Sequence, residues 1–262
     1  MKKRRDFVVL TLALVLVGRA STQKCPASSN FDIMFKTFNR DEQAPLDLIF
    51  VVDAMTSPAD FNAAVRLVQS VVDYLRTVRG LRILPAGARV ALVCDGTTVY
   101  DGVTVNATQA CQLDGVVAST LEYQGPASTD ALLGGLSAAL DLLRRRTRPA
   151  DAVVWIVTQG PSSTSSNLSS IKTVDQTLRG TNGVTVITTG VGNDGCCKNI
   201  VVLQSLSTNS DCYACNSTLF DYISPNIQPG KWLKSKSSKY YAMSIISTRN
   251  LTSAKKSRRL DG

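Results

Sequence analysis

The chain contains no histidine. That absence excludes Ser-His-Asp and Cys-His nucleophile systems, zinc sites built on histidine, and a histidine pH switch. It also lacks a membrane span, because the apolar run at 7–17 falls well short of the roughly 20 residues needed to cross a bilayer, and no later segment approaches that length. Preceded by Met1-Lys-Lys-Arg-Arg5 and followed by Gly18-Arg19-Ala20, with small residues where a signal peptidase reads, the run predicts a signal peptide over 1–20. The expectation is a secreted, extracellular protein. Four Asn-x-Ser/Thr sequons, at Asn106, Asn167, Asn216 and Asn250, are then candidate glycosylation sites.

Basic charge is scarce where a folded domain would need it to hold nucleic acid. Lys and Arg number 29 against 20 Asp and Glu, but residues 1–20 hold five of the bases against Asp6, and 231–262 hold nine against Asp261. That leaves 15 against 18 for 21–230, a mildly acidic body. No nucleic-acid partner is expected. The basic segment 227–262, rich in Lys, Arg and Ser, reads as a solvated, flexible tail, or as an arm for a glycosaminoglycan or other polyanion.

Seven cysteines are present: Cys25, Cys94, Cys111, Cys196, Cys197, Cys212 and Cys215. In an oxidising compartment they are expected to pair, and the odd count leaves one thiol free or bonded to another chain, so a disulfide-linked dimer is possible. Cys94 with Cys111 is one local pairing, and Cys25 could tie the lead-in to the late cysteines. Cys212-Tyr-Ala-Cys215 has the spacing of a redox or half-zinc motif. Beside Cys196-Cys197 in an exported chain, structural disulfides are the preferred reading.

After a lead-in at 21–43 with an apolar patch at 31–35, strand and helix patterns alternate. Continuous apolar runs at 48–52, 89–94, 152–158 and 184–190 predict strands buried on both faces. Extended sequence at 97–105 is broken by Asp101-Gly102, a hairpin-type turn. Helical spacing covers 61–78, with helices also expected near 108–119, 129–146 (Thr129 as N-cap) and 167–178. Ser57 followed by Pro58 fits an N-cap and first helical position. Such alternation implies right-handed crossovers and a doubly wound, mostly parallel α/β sheet with helices on both faces, over 44–226.

Phe50-Val-Val-Asp53, Val90-Ala-Leu-Val93, Trp155-Ile-Val-Thr-Gln-Gly160 and Val186-Ile-Thr-Thr-Gly-Val-Gly192 occur in this order, and the stretch 45–223 resembles domains of the von Willebrand factor type A family. The resemblance implies a Rossmann-like fold and a non-catalytic recognition module for cell adhesion or extracellular matrix. It also implies a metal-ion-dependent adhesion site built from three loops: an Asp-x-Ser-x-Ser loop, a threonine before the third main helix, and the aspartate of Thr-Asp-Gly. Here those loops read Asp53-Ala-Met55-Thr56-Ser57, Gly125-Pro-Ala127-Ser128-Thr129 and Thr158-Gln159-Gly160. Asp53 and Ser57 match, whereas Met55, Ala127 and Gln159 do not. Mg²⁺ wants near-octahedral oxygen coordination, so binding is expected to be weak or absent. The alternative keeps Mg²⁺, with Gln159 lending its carbonyl, Ser128 shifting by one residue, or a partner's carboxylate completing the shell. Without metal, Asp53 would accept hydrogen bonds from loop amides. The expected ligand face comprises Asp53, Thr56, Ser57, Ala127, Ser128 and Gln159.

Three weaker patterns have simpler readings. Gly190-Val-Gly-Asn-Asp-Gly195 follows a late strand and reads as a turn. Ser169-Ser-Ile-Lys172 lacks the supporting motifs of a serine-lysine acyl enzyme. Arg144-Arg-Arg-Thr-Arg148 reads as a solvated cap at a helix C-terminus. No convergent acid-base pair is found, so no enzyme is expected. The function expected is binding of an extracellular protein or matrix ligand. The alternative is a structural matrix or coat protein assembled through disulfides and the basic tail.

Overall fold

Every residue of Leu46–Asp53 (β1) and Ala88–Cys94 (β2) is buried, and so is all but the first residue of Asp151–Thr158 (β4). Successive strand side chains point to opposite faces, so burial without alternation requires cover on both sides. The computed structural model describes residues 31–38, 44–53, 55–104, 123, 125–126, 128, 130–161 and 167–227. In it these strands form the middle of a six-stranded sheet of order β3-β2-β1-β4-β5-β6. Thr97–Asp101 (β3) is antiparallel to β2, while Val184–Gly190 (β5) and Tyr213–Cys215 (β6) extend the parallel part. β1 and β4 run in register from Leu46 opposite Asp151 to Asp53 opposite Thr158. The chain winds outward from β1 to β3 and then returns beside β1, which opens a crevice at the carboxyl ends of β1 and β4. The doubly wound α/β sheet is as expected.

Among the described residues, six α-helices cover the two faces. On one lie Phe31–Lys36 (α1), Pro58–Thr77 (α2) and Asn216–Ile223 (α6), packed on Leu48, Phe50, Val52 and Trp155. On the other lie Ala131–Arg145 (α3), Leu168–Gly180 (α4) and Ile200–Leu206 (α5), packed on Ile49, Val51, Val154 and Ile156. The lead-in patch contributes to the core. Met34 and Phe35 of α1 are fully buried, and the Phe35 ring lies 4.7 Å from Tyr74 and 6.0 Å from Trp155. The Tyr222 ring of α6 packs at a tilt on Phe31, with centroids 4.8 Å apart, and its hydroxyl donates to Asp32 at 2.8 Å.

Three expectations need correction. The hairpin turn is Asp95-Gly96, at φ 47° and 74°, and not Asp101-Gly102. A two-residue loop needs positive φ at both positions, whereas Asp101 closes β3 and accepts from the amides of Val103 and Thr104 at 3.1 and 2.8 Å. The glycine-rich segment after β5 leads into a π-helical turn, Asp194–Lys198, that carries Cys196 and Cys197. Finally, Arg148 is no solvated cap. Its Nη2 donates to Leu46 O, Asp47 Oδ1 and Gly87 O at 3.0, 2.9 and 2.8 Å, and its Nη1 to Pro85 O and Ala86 O at 3.1 and 3.3 Å. The clamp ties the loop before β2 to β1 and compensates the fully buried Asp47. Burial still raises the Asp47 pKa, against the pull of Arg148, Arg89 and Arg146. The helix predicted at 108–119 lies outside the described residues.

Candidate recognition site at the carboxyl ends of the strands

Asp53 ends β1 with no exposed surface. Its Oδ2 accepts from Gly96 N at 3.3 Å. Helix α3 crosses so closely that a Cβ at Gly135 would sit 2.0 Å from that oxygen, and one at Gly134 would sit 3.2 Å from Gly96 Cα. Two glycines inside a helix are costly for helix formation, and here they let α3 seat against the end of β1. The Asp53 carboxylate thus faces Gly96 and α3.

Ser57, the other matched residue, converges with Thr56 and Gln159 on the α2 side. Ser57 caps α2, with Pro58 at the first helical turn. Its Oγ accepts from Asp60 N at 3.1 Å and donates to Asp60 Oδ2 at 2.7 Å. Thr56 donates through its amide at 2.6 Å and its hydroxyl at 2.8 Å, both to Gln159 Oε1. Gln159, only 5% exposed, donates from Nε2 to Asp60 Oδ2 at 2.8 Å, and its backbone carbonyl accepts from Asn199 Nδ2 at 2.7 Å. Tyr123 OH reaches Thr56 O at 3.0 Å. Gly192, at φ +62°, leaves room for this cluster, since a Cβ there would lie 2.7 Å from Asp60 Oδ1 and 3.2 Å from Gln159 Nε2.

The arrangement is a closed hydrogen-bond cycle between the β1–α2 loop and the end of β4. An amide oxygen has two lone pairs, and Thr56 fills both on Gln159. Ser57 Oγ both donates and accepts within the cap. Met55 turns into the core at 2% exposure. No group of three or more Asp, Glu, Cys or His side chains among the described residues is placed to hold a metal ion. This donor set fits a hard cation poorly, because Gln159 Oε1, Ser57 Oγ and Asp60 Oδ2 are already engaged by protein partners and the Asp53 carboxylate is buried against α3, which leaves too few oxygens for a near-octahedral shell. Ala127 lies outside the described residues, and Ser128 is exposed. Sequence reasoning missed Asp60, Asn199 and Tyr123. For Asp60 a signal existed, because Ser57-Pro-Ala-Asp60 is the Ser-x-x-Asp pattern of a capping box.

The described cysteines divide by bonding, not by burial. Cys196 and Cys215 form a disulfide and Cys197 is also disulfide-bonded, whereas Cys94 and Cys212 are free and buried. The pairing of Cys94 with Cys111 is therefore overturned. Burial, with Asp95 and Asp53 nearby, pushes the Cys94 thiol up to about 12, and burial also raises Cys212. With one sulfur of Cys212-Tyr-Ala-Cys215 bonded elsewhere, the pair is not a dithiol. Asn167 precedes α4 and donates to Asp130, and Asn216 opens α6, so both sequons stand at the carboxyl-end rim. Ser169 and Lys172 are exposed on α4. Cys25, Cys111, Asn106, Asn250 and the basic tail lie outside the described residues.

No family model and no curated protein matches this chain. Among solved structures, it is similar to proximal thread matrix protein 1 from the mussel byssus, at 19% identity over 71% of this chain and 46% of that one, with a TM-score of 0.52. A structure of the same protein with a zinc-occupied MIDAS motif matches at 20% identity, the same coverage and a TM-score of 0.52. The pilus adhesin SpaC from Lactobacillus rhamnosus GG, in an open conformation, matches at 14% identity over 72% of this chain and 30% of that one, with a TM-score of 0.51. The match thus spans less than half the length of each of these chains. With the sheet order above, they establish that this chain has the von Willebrand factor type A fold.

Proposed function

We propose that this chain is a secreted, non-catalytic recognition module that binds an extracellular protein or matrix ligand at the carboxyl-end face of its sheet without a bound metal ion. The observation that carries the reading is the closed cycle of Thr56, Gln159, Asp60 and Ser57 in the crevice. A site that recruits a ligand through an ion must leave several oxygens open to that ion, and here Gln159 Oε1, Ser57 Oγ and Asp60 Oδ2 are engaged with one another and with Thr56. What the face offers a partner is the exposed Thr56, the exposed Ser128 and the rim loops around them. Catalysis has no support at this site, because Asp53 is buried against α3, Cys94 is held protonated, and the Ser57 hydroxyl beside the Asp60 carboxylate is engaged in the helix cap, with Asp60 Oδ2 also held by Gln159 Nε2. A thread matrix protein and a pilus adhesin sharing the fold agree with adhesion. The thread matrix protein also keeps a second reading in play, a structural matrix component.

The test uses the mature chain on beads presented to an extracellular-matrix preparation, in chelator and in Mg²⁺ or Mn²⁺. Adhesion is expected to be equal in both and to fall with Thr56→Arg. Adhesion that needs the divalent ion, together with saturable calorimetric Mg²⁺ binding abolished by Asp53→Ala, would replace this reading with a working metal site.

A further inference from the structure

We propose that the cleft between α2 and α6 is the seat of an N-linked glycan carried by Asn216, whose innermost sugar packs on the ring of Phe220. The proposal shares with the preceding reading only the export of the chain. Phe220 is a large apolar side chain left 40% exposed, and exposed apolar surface along a groove marks a place where something binds. Ala63 and Leu67 of α2 form one wall, and Asn216 and Phe220 of α6 form the other. Residues four apart share a helix face. The acceptor of the sequon Asn216-Ser-Thr218 is therefore itself part of the lining, and a sugar attached there is already at its seat.

The amide is turned for this role. Asn216 Oδ1 lies 3.9 Å from the Sγ atoms of both Cys196 and Cys215, the two ends of one disulfide. That leaves Nδ2, the atom that carries the sugar, without a protein partner among the described residues. At the other described sequon, Asn167 spends its Nδ2 on Asp130. The cleft measures about 270 Å³, just below the roughly 300–1,000 Å³ of ordinary ligand pockets, so it takes the first sugar and leaves the outer branches in water. A pyranose ring presents C–H groups on its face, and an aromatic ring, negative on its own face, receives them. Arg66 and Asp221 stand at the margins, both exposed, as donor and acceptor for the hydroxyl and acetamide groups. Within the protein Arg66 commits only Nε, to Asn62 O at 3.2 Å. Both helices start at the carboxyl rim and run down the flank. A glycan laid from Asn216 toward Phe220 thus descends beside α2 and stays clear of Thr56.

The experiment measures the melting temperature of the full chain secreted from cultured animal cells, after an endoglycosidase has trimmed every glycan to its first sugar. Parent, Asn216→Gln, Phe220→Ala and the double variant form a cycle. Glycopeptide mass spectrometry is expected to find Asn216 occupied in the parent. Asn216→Gln should lower the melting temperature by about 2–4 °C, the shift that one well-packed contact gives a domain of this length, and Phe220→Ala should remove at least half of that difference. The same cycle on chain made in bacteria without glycans should show no coupling. On the trimmed parent alone, nuclear Overhauser contacts should join the Phe220 ring to the sugar. An occupied Asn216 with no such contacts, a glycan whose loss leaves the melting temperature unchanged or acts independently of Phe220, or a secreted chain left bare at Asn216 would each overturn the proposal. A chain retained in the cells and bare at every sequon would overturn it together with the export, which tells the two failures apart.

Discussion

Replacing Gln159 with glutamate tests the closed cycle at its centre, because the change keeps the side-chain length and swaps one nitrogen for oxygen. Oε1 would still accept from Thr56, but the atom now donating to Asp60 Oδ2 at 2.8 Å would become a carboxylate oxygen. Two unit charges about 4 Å apart repel by about 4 kcal/mol at the effective dielectric of a protein near its surface. Asp60 is half-buried and can turn toward water, so a net loss of about 1–3 kcal/mol at pH 7.5 is expected. The sign of the pH dependence follows from proton uptake. In the folded variant the carboxyl pair holds a proton more tightly than in the unfolded chain, so stability falls as pH rises through the pair's folded pKa. Urea denaturation of parent and Gln159→Glu at pH 4.5 and 7.5 reads this directly, with a deficit at the higher pH that shrinks at the lower. Adding Mg²⁺ at pH 7.5 should restore part of it in the variant and do nothing to the parent. A variant as stable as the parent at pH 7.5 would refute the Gln159–Asp60 contact and, with it, the argument that the crevice oxygens are committed.

Four further outcomes are expected. Arg148→Ala strips the compensating charge from fully buried Asp47 and should cost about 3–5 kcal/mol in urea unfolding, with Asp47→Asn restoring part of the loss; a cost below about 1 kcal/mol would contradict the clamp. Asp175, fully buried beside Arg179, has its pKa raised to about 6 from 3.8, by burial above all. Its native form therefore takes up protons, stability drops as pH rises through 6, and Asp175→Asn should gain at most about 3 kcal/mol at pH 7.5 and flatten the profile. Phe35→Ala should cost about 3–5 kcal/mol if α1 belongs to the core, and an unchanged melting temperature would place it outside. Cys94, buried with its thiol near pKa 12, should resist thiol reagents until the chain is unfolded, as a timed labelling experiment would show.

Much of the sheet was legible in the sequence because its signal is local. Leu48-Ile-Phe-Val-Val52 and Ala152-Val-Val-Trp-Ile-Val157 are apolar without alternation, and only a strand covered on both faces asks for that. What could not be read was long-range. Asp101-Gly102 and Asp95-Gly96 are equally good turn dipeptides, and the choice between them depends on Thr97 pairing with Cys94 across the hairpin. Arg148 looked like the last of a solvated run because the partner that buries it, Asp47, lies 101 residues away. The apolar patch at 31–35 had no visible counterpart until Trp155, Tyr74 and Tyr222 met around it.

The crevice shows the same limit most sharply. By residue type, Gln159 and Thr56 both remain possible oxygen ligands, and position by position the site reads as partly preserved. Hydrogen-bond satisfaction decides otherwise, and it is a property of pairs. An aspartate at 159 would place a second carboxylate near Asp60 and invite a cation, whereas the amide supplies a donor to Asp60 and an acceptor to Thr56 in one planar group. The replacement thus does more than delete a carboxylate: it gives Asp60 a donor in place of a second negative charge, and the metal-free reading proposed above therefore puts a partner's contacts on the exposed loops around it.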